Sequence, residues 1–477
     1  MRKLKEDSFS GRAYALDALR GYAILTMVLS ATIAMTMLPA WMYHAQVPPP
    51  DHVFHPEIPG LTWVDMVFPS FLFSMGAAFP FSIGKKFSRG VSRFRLSMSA
   101  LWRGILLMFF GVFIAHCFPY VLSDPQDMRS WLIAIFAFIL LFPMFMRIPA
   151  KIPDWSRHAI QLGAVLVALI LMLSVKYADG TGFSCGENDM DIIIIILANM
   201  AIFGSLLYIF TIGNVKARLI VLALLFAFSL GAMSPQPSWA SAVANFKPFP
   251  GFYSFHYLKY LFIIVPGSIA GEYLYDWMGR RKSSDVTDSG VAIGMLLESL
   301  AFVLCNLYCL YMRFLVLNMV LNLLLIILGW CIIRKAHGDM AALWKRVFLL
   351  GAFLIALGLL IEPFEGGIKK DPVNFSYLFT SGGLAAMSLI FFSVLCDYWR
   401  LQRGTAFLVM SGQNPMIAYV SGSLLIMPLM SILGILNPFF TFCSSGPWLG
   451  VLQGFVLTAL SMLVTMFFTR IKWFWRT

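Results

Sequence analysis

The chain has 477 residues, of which 60% are hydrophobic and only 12% are charged, with a formal net charge of +12. Length alone would suggest three soluble domains, but apolar runs of about twenty residues recur along nearly the whole chain, as in membrane-spanning helices. Composition therefore excludes an ordinary soluble protein and predicts an all-α, polytopic transmembrane helical bundle, forming a single membrane-embedded domain over residues 1–477.

The apolar runs predict fourteen spans with both termini in the cytoplasm. Without the two helices joined by Tyr311-Met312-Arg313, twelve spans remain and every other segment keeps its orientation. The first run contains Asp17 and Arg20 and is followed by no small-residue cleavage site, so we expect a retained helix rather than a signal peptide. The predicted spans are 15–42, 62–84, 101–121, 130–147, 158–176, 189–212, 217–233, 257–277, 289–311, 314–333, 347–363, 376–398, 406–433 and 447–469.

Basic residues lie mainly on one side of this predicted topology. Of the 35 Lys and Arg residues, 28 fall in inward segments and 7 in outward ones. The positive-inside rule accounts for the net charge, so we expect a lipid bilayer and no nucleic acid as partner. The seven cysteines show no CxxC spacing, and we expect neither a disulfide framework nor a metal site.

The most informative stretch is 51–84, where a polar, Pro-rich loop with His55 and Glu57 runs into an apolar helix. Asp65 is predicted in the first turn of that helix and Pro69 in the second, so the carboxylate needs a partner other than lipid. His55 lies ten residues before Asp65, on the side with few basic residues. A neutral imidazole there could accept a proton while a carboxylate fixes its tautomer. The alternative is a solvated loop histidine without a role.

Few other ionisable residues occur inside or at the ends of the spans. Asp17 and Arg20 are three residues apart on one helical face, which favours a local ion pair; the alternative is that Arg20 meets a phosphate in an inner cavity. Arg103 begins a helix on the cytoplasmic side, either as a membrane anchor or as a second phosphate ligand. Lys370 belongs to a charged cluster at the outer end of helix eleven, which is either a solvated loop or a site for a polar substrate.

Several motifs together resemble the heparan-α-glucosaminide N-acetyltransferase family and its bacterial relatives. In that family an LDxxRG helix precedes a His that lies five residues ahead of a Gly-x-Thr-x-x-Asp-x-Val-Phe-Pro run. Here LDALRGYAILTMV is followed by GLTWVDMVFP, and His55 has that spacing from Gly60. The resemblance continues in family order with LWRG at Arg103, PGSIAGEYL at 266–274, IKKDPVNFSYLFTS at 368–381 and GQNPMIAYV at 412–420.

This resemblance implies a transmembrane acyltransferase of a bacterial inner membrane. It would take acetyl from cytoplasmic acetyl-CoA, without a metal, and deliver it to a sugar amine or hydroxyl of a glycan or small molecule on the outer side. The amide of Asn414 would donate to the thioester oxyanion, or else is a helix-packing amide. The residues expected to act are His55 and Asp65 in catalysis, Arg20, Arg103 and Asn414 on the donor, and Glu57 and Lys370 on the acceptor.

Two other classes of function fit a polytopic chain. A transporter or flippase for a polar lipid or saccharide is the main alternative, but the sequence shows no inverted repeat of broken helices and no paired carboxylates in mid-membrane. A scaffold without chemistry is the second, and the pattern of an outward His with inward Arg residues disfavours it. A homodimer is the expected form of any self-association.

Overall fold

The computed structural model describes residues 13–35, 38–146, 153–187, 189–234, 236–280 and 287–475. Within these ranges the chain is helical, apart from loops and an isolated β-bridge between Met146 and Trp475. This confirms the predicted all-α fold class. Arg281, expected in an inward loop, lies outside the described residues.

Eleven of the described helices are long and apolar enough to cross a membrane, so the chain is a multi-pass membrane protein. With three further helices they correspond one to one with the fourteen predicted spans. The fourteen are α1 (Tyr14–Thr32), α2 (Val67–Ser88), α3 (Arg93–Cys117), α4 (Met128–Phe145), α5 (Asp154–Ser174), α6 (Ile192–Phe210), α7 (Val215–Ala232), α8 (Leu261–Arg280), α9 (Ser289–Tyr311), α10 (Leu315–Ile333), α11 (Asp339–Ile361), α12 (Phe375–Tyr398), α13 (Pro415–Ile432) and α14 (Pro447–Arg470). Shorter helical segments are Ala40–Met42, Pro119–Leu122, Trp239–Asn245, Phe255–Tyr260, Gln402–Gln413 and Leu436–Cys443.

Two boundaries near the predicted site differ from the prediction. The first span was predicted to reach residue 42, but α1 ends at Thr32, and the N–H of Ala34 donates to Gly450 O at 3.3 Å instead of continuing the helix. The second was predicted to begin at residue 62, but α2 begins at Val67. Asp65 therefore precedes the helix, and Pro69 lies in the first turn, where its missing N–H costs no intrahelical hydrogen bond.

A third boundary differs at α11, which begins at Asp339 rather than at 347. Residues 339–346, which were predicted to lie in an inward loop, are helical because they are mostly strong helix formers, in the run DMAALWKR. The connection between α10 and α11 is therefore shorter than predicted.

Four of the spans contain a π-helical segment. These wider turns accommodate one extra residue and are frequent at functional sites. They are Pro80–Gly84 in α2, Met200–Gly204 in α6, Val394–Tyr398 in α12 and Gly422–Ile426 in α13.

The chain forms two compact units, each built from several segments. The first contains the described residues of Met1–Ala23, Ala40–Lys86 and Phe262–Gly412, and the second those of Ile24–Pro39, Phe87–Leu261 and Gln413–Thr477. Neither unit is a continuous stretch of sequence. A single domain over 1–477 stays a prediction.

The first unit is built around α12, whose apolar window is 83% buried and which contacts α2, α9 and α11. Helices α2 and α8 approach closely through glycines. A Cβ at Gly267 would lie 2.2 Å from the carbonyl oxygen of Phe73, and one at Gly76 would lie 2.1 Å from that of Ile264. Small residues at a crossing allow such backbone contact between membrane helices. This packing fixes the start of α2, and with it Asp65.

Candidate active site

Asp65 is a buried carboxylate, 2% exposed, that is fully occupied by partners within the first unit. Its Oδ2 accepts hydrogen bonds from the backbone N–H of Ala45 at 3.2 Å and from the N–H and hydroxyl of Thr62, both at 3.0 Å. Its Oδ1 lies 2.6 Å from Nδ1 of His44. Tyr377 of α12 donates its hydroxyl to the backbone oxygen of Asp65 at 2.8 Å. The structure thus identifies the partners that the sequence required for this carboxylate.

His44 is oriented by Asp65. A carboxylate only accepts hydrogen bonds, so Nδ1 of His44 carries the proton and donates it, and Nε2 carries the lone pair. Lys370 Nζ lies 3.2 Å from Nε2 and 3.1 Å from Nδ1, close to both ring nitrogens. The His44 side chain is 38% exposed. An oriented, accessible imidazole with its lone pair on Nε2 is what a general base requires.

Asp65 and Lys370, the two charged residues beside His44, shift each other's pKa. Burial alone would raise the pKa of Asp65, but the hydrogen bond from His44 and the charge of Lys370 outweigh it and hold this pKa below its ordinary value. Burial also lowers the pKa of Lys370, although Asp65 and Asp371 oppose this shift. Lys370 therefore loses its proton more readily than an exposed lysine.

Gln46 joins the loop that carries His44 to the loop that carries Lys370. Its amide nitrogen donates to the backbone oxygen of Asp371 at 2.6 Å and to that of Pro56 at 3.3 Å, and its amide oxygen accepts from Asp371 N–H at 2.9 Å. Gly60 N–H adds a hydrogen bond to Ile368 O at 2.9 Å. Residues far apart in sequence are brought together by this pairing of loops.

Most of the charged cluster before α12 has a structural role. Glu362 is 3% exposed and pairs with Arg313 at 2.8 Å. Glu365 accepts from the backbone N–H groups of Phe375 and Ser376, at 2.9 and 2.7 Å, and so caps α12. The solvated-loop alternative is wrong for these two glutamates, because both are held by specific partners. Lys370 is the member of the cluster that reaches His44.

The His55 side chain takes no part in these contacts, although the His55 backbone N–H donates to Gln46 O at 2.8 Å. Its Nδ1 lies 3.0 Å from Oε1 of Glu57, and its Nε2 lies 3.6 Å from Oδ2 of Asp51. The Asp51 and Glu57 carboxylates are 51% and 68% exposed. In the structure His55 thus contacts Glu57, which lies in the same loop. Asp65 contacts His44 and not His55.

Arg20 has the local ion pair that its spacing favoured. Its guanidinium lies 3.6 Å from the Asp17 carboxylate and donates to the carbonyl oxygens of Gly412, at 3.4 Å, and Ser74, at 3.5 Å. These contacts join α1, α2 and the Gln402–Gln413 helix. Arg103 belongs to the second unit, where it is exposed on α3. It does not begin a helix as predicted, because α3 already begins at Arg93.

Asn414 is fully buried in the second unit. Its amide nitrogen donates to Trp473 O at 2.8 Å, and its amide oxygen accepts from Trp475 N–H at 3.2 Å. Both ends of the amide are thus used to hold the segment that follows α14. These contacts favour the helix-packing alternative over the oxyanion role.

His44 is the site residue that the sequence analysis did not single out. A signal was available, since His44 opens the same polar loop that contains His55, 21 residues before Asp65. The motif spacing pointed to His55 because it counts residues from Gly60, whereas the contact depends on how the loop folds back. Among the residues that the structure describes, no group of three His, Cys, Asp or Glu side chains is suited to a metal ion.

Fold and site together define a multi-pass membrane protein with a carboxylate-oriented histidine in the loop between α1 and α2. The chain belongs to the family described as a domain of unknown function (DUF5009), whose model matches residues 12–274, more than half of the chain. Over 62 residues, 13% of the chain, it is also 40% identical to the human (Homo sapiens) heparan-alpha-glucosaminide N-acetyltransferase. The match spans 9% of that relative's length, so it indicates a partial similarity to an N-acetyltransferase.

Proposed function

We propose that the chain is a membrane-embedded acyltransferase, which moves acetyl from acetyl-CoA to an amine or hydroxyl of a sugar or similar polar acceptor. The observation that carries this proposal is the hydrogen bond between Asp65 and His44, because it leaves Nε2 of an accessible imidazole as a proton acceptor. The partial similarity to an N-acetyltransferase supports the reaction class.

In the proposed reaction, Nε2 of His44 takes a proton from the acceptor while the acceptor nitrogen or oxygen attacks the thioester carbonyl carbon. The carbon–sulfur bond then breaks, and the leaving thiolate receives a proton from the His44 imidazolium. Asp65 holds the ring in one tautomer and stabilises the imidazolium, which is the role of the carboxylate in other acid–base pairs. Each proton that His44 removes is thereby returned.

Lys370 Nζ lies close to both ring nitrogens of His44. The acceptor therefore has to displace the ammonium from beside the ring before Nε2 can deprotonate it. Lys370 is thus proposed to act on the acceptor side, by controlling access of the acceptor to His44 rather than by stabilising charge in the transition state.

The family resemblance assigns catalysis to His55, and the geometry favours His44. Both nitrogens of His55 face exposed carboxylates, whereas His44 is held by a buried one. We therefore assign the base to His44 and place His55 and Glu57 on the acceptor side. We also propose that the 40–61 loop faces outward across a bacterial inner membrane, with donor phosphates bound by Arg103, and by Arg20 only if it leaves Asp17.

The test is release of free thiol from acetyl-CoA by the purified protein, with glucosamine as the trial acceptor. We expect acceptor-dependent thiol release by the wild type, its loss in His44→Gln, which keeps a polar side chain of similar reach, and near wild-type turnover in His55→Gln. Loss in His55→Gln with retention in His44→Gln would return the base to His55. No thiol release by the wild type at millimolar acetyl-CoA would favour the transporter alternative.

A further inference from the structure

The second unit contains a cavity of about 560 Å³. Its walls are the C-terminal end of α3, the segment that follows α5, the beginning of α6 and Tyr419 of α13. This volume lies within the range of about 300 to 1,000 Å³ that is usual for small-molecule sites. No residue of the His44 site lines it, so the proposed acyl transfer does not explain it.

The charged groups that line the cavity are hydrogen-bond acceptors. Asp179, Asp189 and Asp191 contribute three carboxylates, and no Lys or Arg occurs among the described lining residues. His116 is 5% exposed and its Nδ1 lies 2.8 Å from Val112 O. A carbonyl oxygen only accepts, so Nδ1 is the donor and Nε2 carries a lone pair. The cavity wall therefore presents negative charge and hydrogen-bond acceptors to a ligand.

Asp191 is held at both of its carboxylate oxygens. Its Oδ1 accepts the backbone N–H of Ile194 at 3.1 Å and so caps α6. Its Oδ2 accepts the hydroxyl of Tyr419 at 2.7 Å. Both partners are neutral, so they supply no countercharge, and burial raises the pKa of Asp191 above its ordinary value despite these hydrogen bonds. Carboxylate oxygens retain further lone pairs for a ligand.

Aromatic rings form much of the remaining wall. Phe118 and Tyr120 stack with their centroids 5.6 Å apart, and His116 meets the ring of Tyr177 edge to face at 5.2 Å. Aromatic faces attract cations, and combine with carboxylates in sites that bind ammonium groups. The cavity thus offers both an apolar surface and a countercharge.

We propose that this cavity is a binding site for an organic primary ammonium compound with an apolar body. The three N–H donors of such a group match the acceptors of Asp191 and the neighbouring aspartates, and its apolar part matches the rings. An anion would meet three carboxylates without a countercharge. A neutral compound would fill the apolar wall but would leave the negative charge uncompensated. The site is separate from the acyl transfer proposed at His44.

The probe is phenethylamine, compared with its neutral analogue 2-phenylethanol and its anionic analogue 3-phenylpropanoate. Binding to the purified full chain in lipid nanodiscs would be measured by calorimetry. We expect saturable binding of phenethylamine and at least about tenfold weaker binding of the other two, since the ammonium makes charge-assisted hydrogen bonds that they lack. Equal binding of 2-phenylethanol would overturn the proposal, because the cavity would then be an apolar pocket without charge selectivity.

Two variants test the location. Asp191→Asn keeps an oxygen for the helix cap but removes the charge, and should weaken phenethylamine binding by about tenfold or more. Ala115→Phe adds a ring at a lining position and should reduce binding by filling the cavity. Asp124→Asn, which changes an exposed carboxylate outside the cavity wall, should bind like the wild type. Wild-type affinity in both Asp191→Asn and Ala115→Phe, with normal thermal stability, would contradict the assignment.

Discussion

Oδ1 of Asp65 lies 2.6 Å from Nδ1 of His44, and Oδ2 of the same carboxylate accepts from Ala45 N–H. The carboxylate thus holds both the ring of His44 and the backbone next to it. Such double support limits rotation of the imidazole, because moving the ring also requires moving the loop. A rigidly held base lowers the entropic cost of aligning the reacting groups.

Replacing Asp65 by Asn should lower turnover by roughly 10⁴-fold, the loss typical of replacing the carboxylate behind a catalytic histidine by its amide. The amide of Asn can donate toward Nδ1, and this would favour the tautomer in which Nε2 carries the proton and cannot act as a base. The Michaelis constant for acetyl-CoA should change little. Steady-state thiol-release kinetics would measure both quantities.

The matched control is Asp51→Asn, which removes an exposed carboxylate beside His55. It should leave turnover near the wild-type value. If Asp51→Asn lowered turnover as much as Asp65→Asn, the effect of Asp65→Asn could not be attributed to orientation of His44. An unchanged rate in Asp65→Asn would leave Asp65 as a residue that only organises the start of α2.

Lys370 should impose a pH dependence on the reaction. Its pKa is lowered by burial, so the ammonium loses its proton below the ordinary lysine value of about 10.4. As pH rises through this lowered pKa, the neutral amine stops competing as a charged donor for Nε2 of His44. The wild-type rate at low acceptor concentration should therefore increase toward alkaline pH.

Two substitutions separate this effect from other titrations. Lys370→Met removes the titrating group and should abolish the alkaline increase, whereas Lys370→Arg stays charged throughout and should keep the rate low at every pH. Rate profiles between about pH 6 and about pH 10 would show the difference, a window chosen to span the ordinary His and Lys pKa values. The same alkaline increase in all three proteins would assign it to another group.

The packing of α2 on α8 makes a prediction about stability. A Cβ at Gly267 would lie 2.2 Å from the backbone oxygen of Phe73, whereas one at Gly279, on the same helix, meets nothing within 4 Å. Gly267→Ala should therefore destabilise the fold by about 1 to 3 kcal/mol through overpacking. Gly279→Ala should be neutral or slightly stabilising, because Ala is the better helix former. Thermal unfolding in detergent would compare them, and equal melting temperatures would contradict this close approach.

Sequence patterns predicted the parts of this fold that depend on local composition. All fourteen predicted spans correspond to helices because bilayer crossing requires long apolar runs whatever their packing. The Asp17–Arg20 ion pair was likewise expected from helical spacing alone, and the structure shows it. The need of Asp65 for a partner followed from the cost of burying a charge.

The sequence pattern did not indicate that this partner of Asp65 is His44. The contact depends on the Gln46 hydrogen bonds to Asp371, which join residues 325 positions apart. It also depends on the early end of α1, which leaves His44 in a loop instead of near the end of a span. Motif spacing is measured along the chain, whereas these contacts are set by two loops that meet only in the folded protein.

The predicted orientation can be tested with two single cysteines. The partition of Lys and Arg, 28 inward and 7 outward among 35, places Asp51 outside and Arg89 in the cytoplasm. In a background without the exposed Cys185 and Cys331, Asp51→Cys should react with an impermeant thiol reagent on intact cells. Arg89→Cys should react only after the cells are opened. The reverse pattern would place His44 on the donor side and remove the need for transfer across the membrane.

The last prediction concerns binding of the donor, acetyl-CoA. Substitution of Arg103 and of Arg20 should have different effects. Arg103 is exposed on α3, so Arg103→Gln can remove a phosphate contact without opening a cavity in the core. The loss of one charge-assisted hydrogen bond is worth about 1.5 to 3 kcal/mol, which would weaken CoA binding by roughly 10- to 150-fold. Arg20 already contacts Asp17, Gly412 and Ser74, so Arg20→Gln should mainly lower the melting temperature. Calorimetric titration with CoA, together with thermal unfolding, would separate the two effects. Wild-type CoA affinity in Arg103→Gln would exclude Arg103 from the donor site, and wild-type stability with weakened CoA binding in Arg20→Gln would make Arg20 the phosphate ligand instead.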